Sequence, residues 1–138
     1  MTELLMVTAT KEDYLRAIDH LYEEHDRNVK SKEVAEYLQL AKSTVSERLN
    51  ELSKQNLITY GHYSHIKLTT KGRKMARNIT YKHRIIESFL HDILGLNKKK
   101  IHEEAHKLEH AFSDESIRKL SRLIGNPKTD PHGKPIPR

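Results

Sequence analysis

Apolar residues recur at helical spacing along most of the chain, interrupted by a shorter period only once. Tyr14, Leu15, Ile18, Leu21 and Tyr22 share one face of a helix predicted from about Lys11 to Glu24, with Thr10 as its N-cap. Val34, Ala35 and Leu38 define a second, from about Lys32 to Leu38, capped by Ser31. A short turn at residues 39–41 leads to a third, about Lys42 to Gln55, with Val45, Leu49 and Leu52 inward. The period then shortens. Leu57 to Tyr60 and His65 to Thr69 read as two strands of a hairpin around Gly61, with Ile66 and Leu68 alternating against polar neighbours. Helical spacing returns in a long fourth helix, roughly Lys71 to Leu94, closed by Gly95. A fifth follows Asn97, about Lys98 to Phe112, and a sixth, capped by Ser113, runs from Asp114 to Ile124 and stops at Gly125. All four prolines fall in the tail, which reads as extended. The predicted class is mainly α, with residues 1–70 as one unit and residues 71–138, ending in the Pro-rich tail, as a second.

Helix, tight turn, helix and two-stranded hairpin is the order of a winged helix-turn-helix, whose second paired helix enters the major groove. That helix begins with Lys42, Ser43, Thr44, Ser46, Glu47 and Arg48. Hydroxyl side chains there suit base edges or phosphates, and the cations suit phosphates. Charge supports the assignment more by distribution than by total. The net charge is +6 over 138 residues, yet from Leu52 through Ile86 there is no Asp or Glu. That stretch holds Lys54, Lys67, Lys71, Arg73, Lys74, Arg77, Lys82 and Arg84, and Lys67 lies on the predicted wing. Double-stranded DNA is the expected partner, with affinity that falls as salt rises.

The absence of cysteine excludes thiolate metal sites, disulfides and cysteine nucleophiles. No apolar run is long enough for a bilayer span, and Met1 to Val7 has no signal-peptide pattern, so a cytoplasmic location with no membrane partner is expected. Ten histidines point elsewhere, to metal chemistry. On the fifth helix, His102, His106, Glu109 and His110 form a stripe at i, i+4, i+7 and i+8, one residue displaced from the apolar stripe Ile101, Ala105, Leu108 and Phe112. The fourth helix adds His83 and Glu87 at i, i+4. Any one of these is satisfied by a core or surface role. Together, on neighbouring helices, they suit Fe(II), Mn(II), Co(II), Ni(II) or Zn(II). The same helix matches the zinc-hydrolase pattern H-E-x-x-H at His102 to His106 and its inverse at His106 to His110, but nothing in the sequence supplies a substrate cleft. No catalytic residue and no small-molecule substrate is expected. A metal-independent winged-helix regulator is the other alternative.

The sequence resembles the diphtheria toxin repressor and iron-dependent regulator family, which includes manganese regulators. The stretches that carry the resemblance are Asp13-Tyr14-Leu15-Arg16, Thr44-Val45-Ser46, Leu68-Thr69-Thr70-Lys71-Gly72-Arg73, Lys82-His83-Arg84 with Glu87, His102-Glu103-Glu104-Ala105, Glu109-His110, Ser113-Asp114-Glu115 and Pro131-His132-Gly133-Lys134-Pro135-Ile136-Pro137. The resemblance implies a homodimeric, metal-dependent transcriptional repressor of palindromic operators, with a winged helix-turn-helix DNA-binding domain over 1–70, a helical dimerisation and metal-binding domain over 71–138 and, unlike the longer relatives, no third, SH3-like domain. It implies a primary metal site of Asp13, His106, Glu109 and His110 and an ancillary site of His83, Glu87 and His102. His106 stands where iron-responsive relatives carry cysteine and manganese-responsive ones an acid; Asp13 resembles the manganese group; Arg16 and the tail resemble the iron group. Fe(II) is the expected ion, ahead of Mn(II), with Zn, Co or Ni able to bind in vitro. Ile85, Phe89, Leu90, Ile93, Ile117, Leu120, Leu123 and Ile124 are candidates both for the dimer contact and for an internal core.

Overall fold

The computed structural model describes residues 2–61 and 65–137, with side chains from Lys11 onward. Two compact units divide the chain, Met1–Ala76 and Arg77–Arg138.

The first unit begins with α1 (Thr2–His25), followed by β1 (Val29–Lys30), α2 (Ser31–Leu38) and α3 (Lys42–Lys54). Strands β2 (Ile58–Tyr60) and β3 (His65–Leu68) complete it, together with the start of α4 (Thr70–Ser88). The helix pattern places Tyr14, Leu15, Ile18, Val34, Val45 and Leu49 in one core with Leu57, Ile58 and Ile66 of the strand region. These side chains are almost fully enclosed, the condition under which apolar burial stabilises most. The sheet is antiparallel in the order β1-β3-β2, with Val29 opposite Ile66 and Ile58 opposite Leu68. The tip of the hairpin, residues 62–64, lies outside the described residues.

Several boundaries differ from the sequence-based expectations. Helix α1 starts at Thr2, so Thr10 lies within it and is not its N-cap; the apolar period of its core-facing half begins only at Tyr14. The N-cap of α2 is Lys30, not Ser31, and the first-turn acid Glu33 accepts the Lys30 backbone N–H at 2.9 Å. Strand β1 was not predicted. Two residues carry no measurable period, and the strand forms because β3 offers it an edge. Leu57 and Thr69, expected at strand ends, lie just outside β2 and β3.

In the second unit α4 continues beyond Ser88 as a π-helical turn, Phe89–Ile93, before Gly95 closes it with φ of 71°. Helix α5 (Lys98–Glu109) is capped by Asn97, whose side-chain oxygen accepts the Lys99 N–H at 2.7 Å. It ends three residues before Phe112, the predicted end, and His110 is its helical-geometry C-cap. Helix α6 (Asp114–Leu123) has Ser113 as cap, its hydroxyl accepting the Ser116 N–H at 3.0 Å. Ile85, Ile86, Leu90, Ile101, Ala105 and Ile117 form the core. Of the residues named for either a core or a dimer contact, Ile85, Leu90 and Ile117 are enclosed there, and Phe89, Leu120 and Ile124 pack against it. Ile93 and Leu123 are exposed, at 58% and 76%.

The tail is not simply extended. Thr129 bridges to Pro135, the Asp130 carboxylate accepts the N–H groups of His132 and Lys134 at 2.9 Å each, and Ile136 is buried in the second core. The reason is that Gly133, at φ of 84°, lets the chain turn back on itself. Among the described residues, no helix is long and apolar enough to cross a membrane.

Candidate metal centres and nucleic-acid interface

Helix α5 turns its four predicted side chains into two separate groups, both next to α4. The ligand atoms of His106, Glu109 and His110 lie within 4.8 Å of one another. Glu109 is fully buried, and its Oε1 is 3.2 Å from His106 Nδ1 and 3.4 Å from His110 Nε2. A carboxylate out of water requires such partners. The rings of His106 and His110 meet edge to face, as expected of residues one turn apart.

The second group is His83, Glu87 and His102, also within 4.8 Å. His83 and Glu87 are buried on successive turns of α4, with His83 Nε2 3.2 Å from Glu87 Oε1. His102 reaches them from the exposed side of α5, its Nδ1 3.1 Å from His83 Nε2. Glu87 Oε2 is buried and makes no hydrogen bond; the imidazoles of His102 and His132 lie 3.8 and 3.5 Å from it. Burial pushes the Glu87 carboxyl up, but the imidazoles of His102 and His83 more than reverse this and hold it at about 2. Burial likewise pulls His83 down, while its hydrogen bonds to Glu109 and Glu87 bring it above the usual imidazole value.

His132 was missed as a candidate from sequence. It lies far along the chain from Glu87, in a segment quoted for its motif and not for its donor atom. The available signal was a histidine held between Pro131 and Gly133, a turn that fixes where its ring goes.

Nitrogen and oxygen donors without sulfur fit a divalent first-row ion. The buried, hydrogen-bond-free Oε2 of Glu87 amid imidazoles fits it too. The three such donors that each cluster brings together match the donor type. Asp13 lies on α1 in the first unit, partly buried, with its carboxylate accepting from Arg16 at 3.5 Å.

The structure disperses the hydrolase pattern. His102 and His106, which would have to share one zinc ion, stand in different clusters. Glu103, the would-be base, points to solvent beside Lys107, 3.9 Å away.

In the first unit, Lys42, Ser43, Thr44 and Glu47 are exposed at the start of α3, and Ser46 and Arg48 are half-buried. Arg48 is paired with Glu51 at 3.3 Å. Val45 and Leu49 anchor the helix from its other side. Lys67 is exposed on β3. The acid-free stretch does not all face solvent. Arg73 lies over the Tyr22 ring, 5.6 Å from its centre. Lys82 donates to the Phe112 carbonyl and pairs with Asp114, and Arg84 donates to the Pro135 carbonyl and lies 4.0 Å from Asp130. Lys54, Lys67, Lys71, Lys74 and Arg77 are exposed.

Residues 6–66 match the model of the iron-dependent repressor N-terminal DNA-binding domain, and residues 69–138 that of the iron-dependent repressor metal-binding and dimerisation domain. The chain is 38% identical over 128 residues to the iron-dependent repressor IdeR of Mycobacterium leprae, covering 93% of this chain and 55% of that protein. It thus spans about half the length of such curated relatives. An uncharacterized HTH-type transcriptional regulator of Methanocaldococcus jannaschii is 40% identical over 109 residues, covering 79% of this chain and 87% of its own length. A solved manganese-dependent transcriptional repressor in complex with manganese superposes with a TM-score of 0.86 at 37% identity, over 93% of this chain and 58% of that one.

Proposed function

The chain belongs to the iron-dependent repressor family, and on that premise we propose that it is a divalent-metal-dependent transcriptional repressor that binds a palindromic operator as a homodimer. One observation carries the reading: the fully buried carboxylate of Glu109 is flanked by His106 and His110, in the same chain as an exposed recognition helix. An acid held there without solvent is well suited to a cation.

In this proposal Asp13, His106, Glu109 and His110 hold the regulatory ion, with Asp13 assigned by family position. His83, Glu87 and His102 form the ancillary set, to which His132 adds a donor. The ion is Fe(II), with Mn(II) as the second choice, since the donors are harder than a cysteine- or methionine-containing set. A bound divalent ion would supply positive charge that neutralises the carboxylates around it. The protein residues do the rest. Asp13 on α1 and the α5 side chains share one load, so loading favours the dimer state whose two recognition helices match half-sites about 34 Å apart. Lys42, Ser43, Thr44, Ser46, Glu47, Arg48 and Lys67 contact the DNA, hydroxyls and Glu47 at base edges, cations at phosphates. The exposed Ile93 and Leu123 are offered to the second copy.

The test is fluorescence anisotropy with operator DNA, under anaerobic Fe(II), under Mn(II) and with chelator. Binding is expected with either ion and lost on chelation. His110→Ala is expected to abolish the metal-activated binding while leaving the circular dichroism spectrum unchanged. Equally tight operator binding by chelated, metal-free protein would instead establish a constitutive winged-helix regulator.

A further inference from the structure

The carboxyl-terminal segment is docked on the second unit at three points. Ile136 is enclosed in the core. Arg84 of α4 donates to the Pro135 carbonyl and lies 4.0 Å from the buried Asp130. His132 stands beside Glu87 of α4, its Nε2 3.5 Å from Oε2. The backbone fixes where that histidine sits. The Asp130 carboxylate accepts the N–H groups of His132 and Lys134, and the Ile136 N–H closes onto the Lys128 carbonyl.

The first two points are complete as they stand, and the third is not. Glu87 is 2% exposed, and its Oε2 has no hydrogen bond although two imidazoles are near it. A buried carboxylate oxygen left in this way costs free energy. The 3.5 Å to His132 is long for a hydrogen bond. It is close to the separation of two donors on one four-coordinate ion, about 3.4 Å when each lies about 2.1 Å from the metal. His132 is not one of the three donors gathered within 4.8 Å; it stands at their rim, on a ring that is 38% exposed and so not enclosed by neighbours.

We propose that residues 128–136 form a strap that a divalent ion fastens. His132 Nε2 joins His83, Glu87 and His102 as the fourth donor, so filling that group locks the carboxyl-terminal segment onto α4. This rests on the metal-binding reading of the group. Linkage makes the effect reciprocal: the factor by which His132 strengthens ion binding is the factor by which the ion holds the strap closed. Loss of an outer partner of a metal ligand already costs about 10- to 100-fold in affinity, so a direct donor is worth about tenfold at least.

Zn(II) serves as the probe, because imidazole and carboxylate donors suit it and it is diamagnetic. His110→Ala removes a donor from the other cluster, so the remaining zinc reports on this one. Exchange of the His132, Lys134 and Ile136 amides is followed by NMR, and zinc affinity by calorimetry. Zinc is expected to slow all three amides by about tenfold or more, and to leave the Ser116 amide at the start of α6 unchanged. Adding His132→Phe, which keeps a ring and removes the donor, should weaken zinc by a similar factor and abolish the slowing. Wild-type protein saturated with zinc should show the same slowing, a measurement that needs no variant to fold. Exchange unaltered by bound zinc, as a plain Glu87–His132 ion pair would give, overturns the strap and leaves the metal-binding reading intact. Undiminished zinc affinity in the His132→Phe protein does the same. Absence of zinc binding by both wild type and His110→Ala would overturn both.

Discussion

Gly72 sits where a side chain has no room. A Cβ there would lie 1.9 Å from the backbone oxygen of Leu57. The contact is backbone to backbone, so no flexible group can give way. Around it, the Thr69 N–H donates to that same Leu57 oxygen at 3.0 Å, and the Thr69 hydroxyl accepts the Gly72 N–H at 3.0 Å. Thr69 thereby closes the exit of the wing and opens α4. Gly72→Ala must push this junction apart, and overpacking of this kind costs about 1–3 kcal/mol. A lower urea midpoint for the first unit, with its slope unchanged, is the expected result. At this scale the sequence was a good guide to which residues matter and a poor one to their partners. The stripe on α5 was visible from spacing alone. That Glu109 would be its buried member, and His102 its exposed one, was not, because burial depends on the facing helix and not on the stripe itself.

Among the elements, α2 shows how a short helix is held at its start. Glu33 accepts from both terminal nitrogens of Arg27, at 3.0 and 2.9 Å, and from the Lys30 N–H. The Arg27 guanidinium, more than the backbone N–H, holds the Glu33 carboxyl below its ordinary 4.5. A depressed folded value means that this interaction stabilises above the unfolded value and is lost as pH falls through the folded one. Glu33→Gln is therefore expected to lower stability at neutral pH and to flatten the acid limb of the stability profile. Denaturation midpoints of both proteins across the carboxylate range check this. The long periodic elements α1, α3, α4 and α5 were legible because each buries an apolar stripe, that of α4 divided between the two cores. Their ends were less so. The amino-terminal extension of α1 to Thr2 lies ahead of the stripe that reveals the helix, and the π-helical turn after Ser88 preserves the helical direction while shifting the register of Phe89 to Ile93.

For the molecule as a whole, charge is the quantity most easily overread. The acid-free stretch looks like one continuous electrostatic surface in the sequence, but three of its eight cations are used within the fold. Under the proposed function the exposed ones govern DNA affinity and its dependence on salt. Lys67→Ala should weaken operator binding about equally across sequences and reduce the salt slope by about 1. Arg84→Ala should leave that slope unchanged and instead lower the melting temperature of the second unit, since it removes a donor to the Pro135 carbonyl. Anisotropy titrations over a salt series and thermal melts separate the two. The fold class and family were readable because recognition helix, wing residues and His-rich helix occur in one order along the chain. Asp13 entered only through family position, since no pattern on α1 distinguishes it from the other acids there.

The carboxyl-terminal segment has a consequence for how the chain meets proteases. By composition it is a loose end: rich in proline, with exposed lysines at 128 and 134. Lys134 precedes proline, a bond trypsin does not cut, and the Lys128 carbonyl is tied by the Ile136 N–H at 2.8 Å while Thr129 is bridged to Pro135. A protease needs several residues drawn out straight before it can cut. Here they cannot be drawn out without pulling Ile136 from among Ile85, Leu90 and Ile117, so the rate of nicking after Lys128 becomes a clock for the opening of that core.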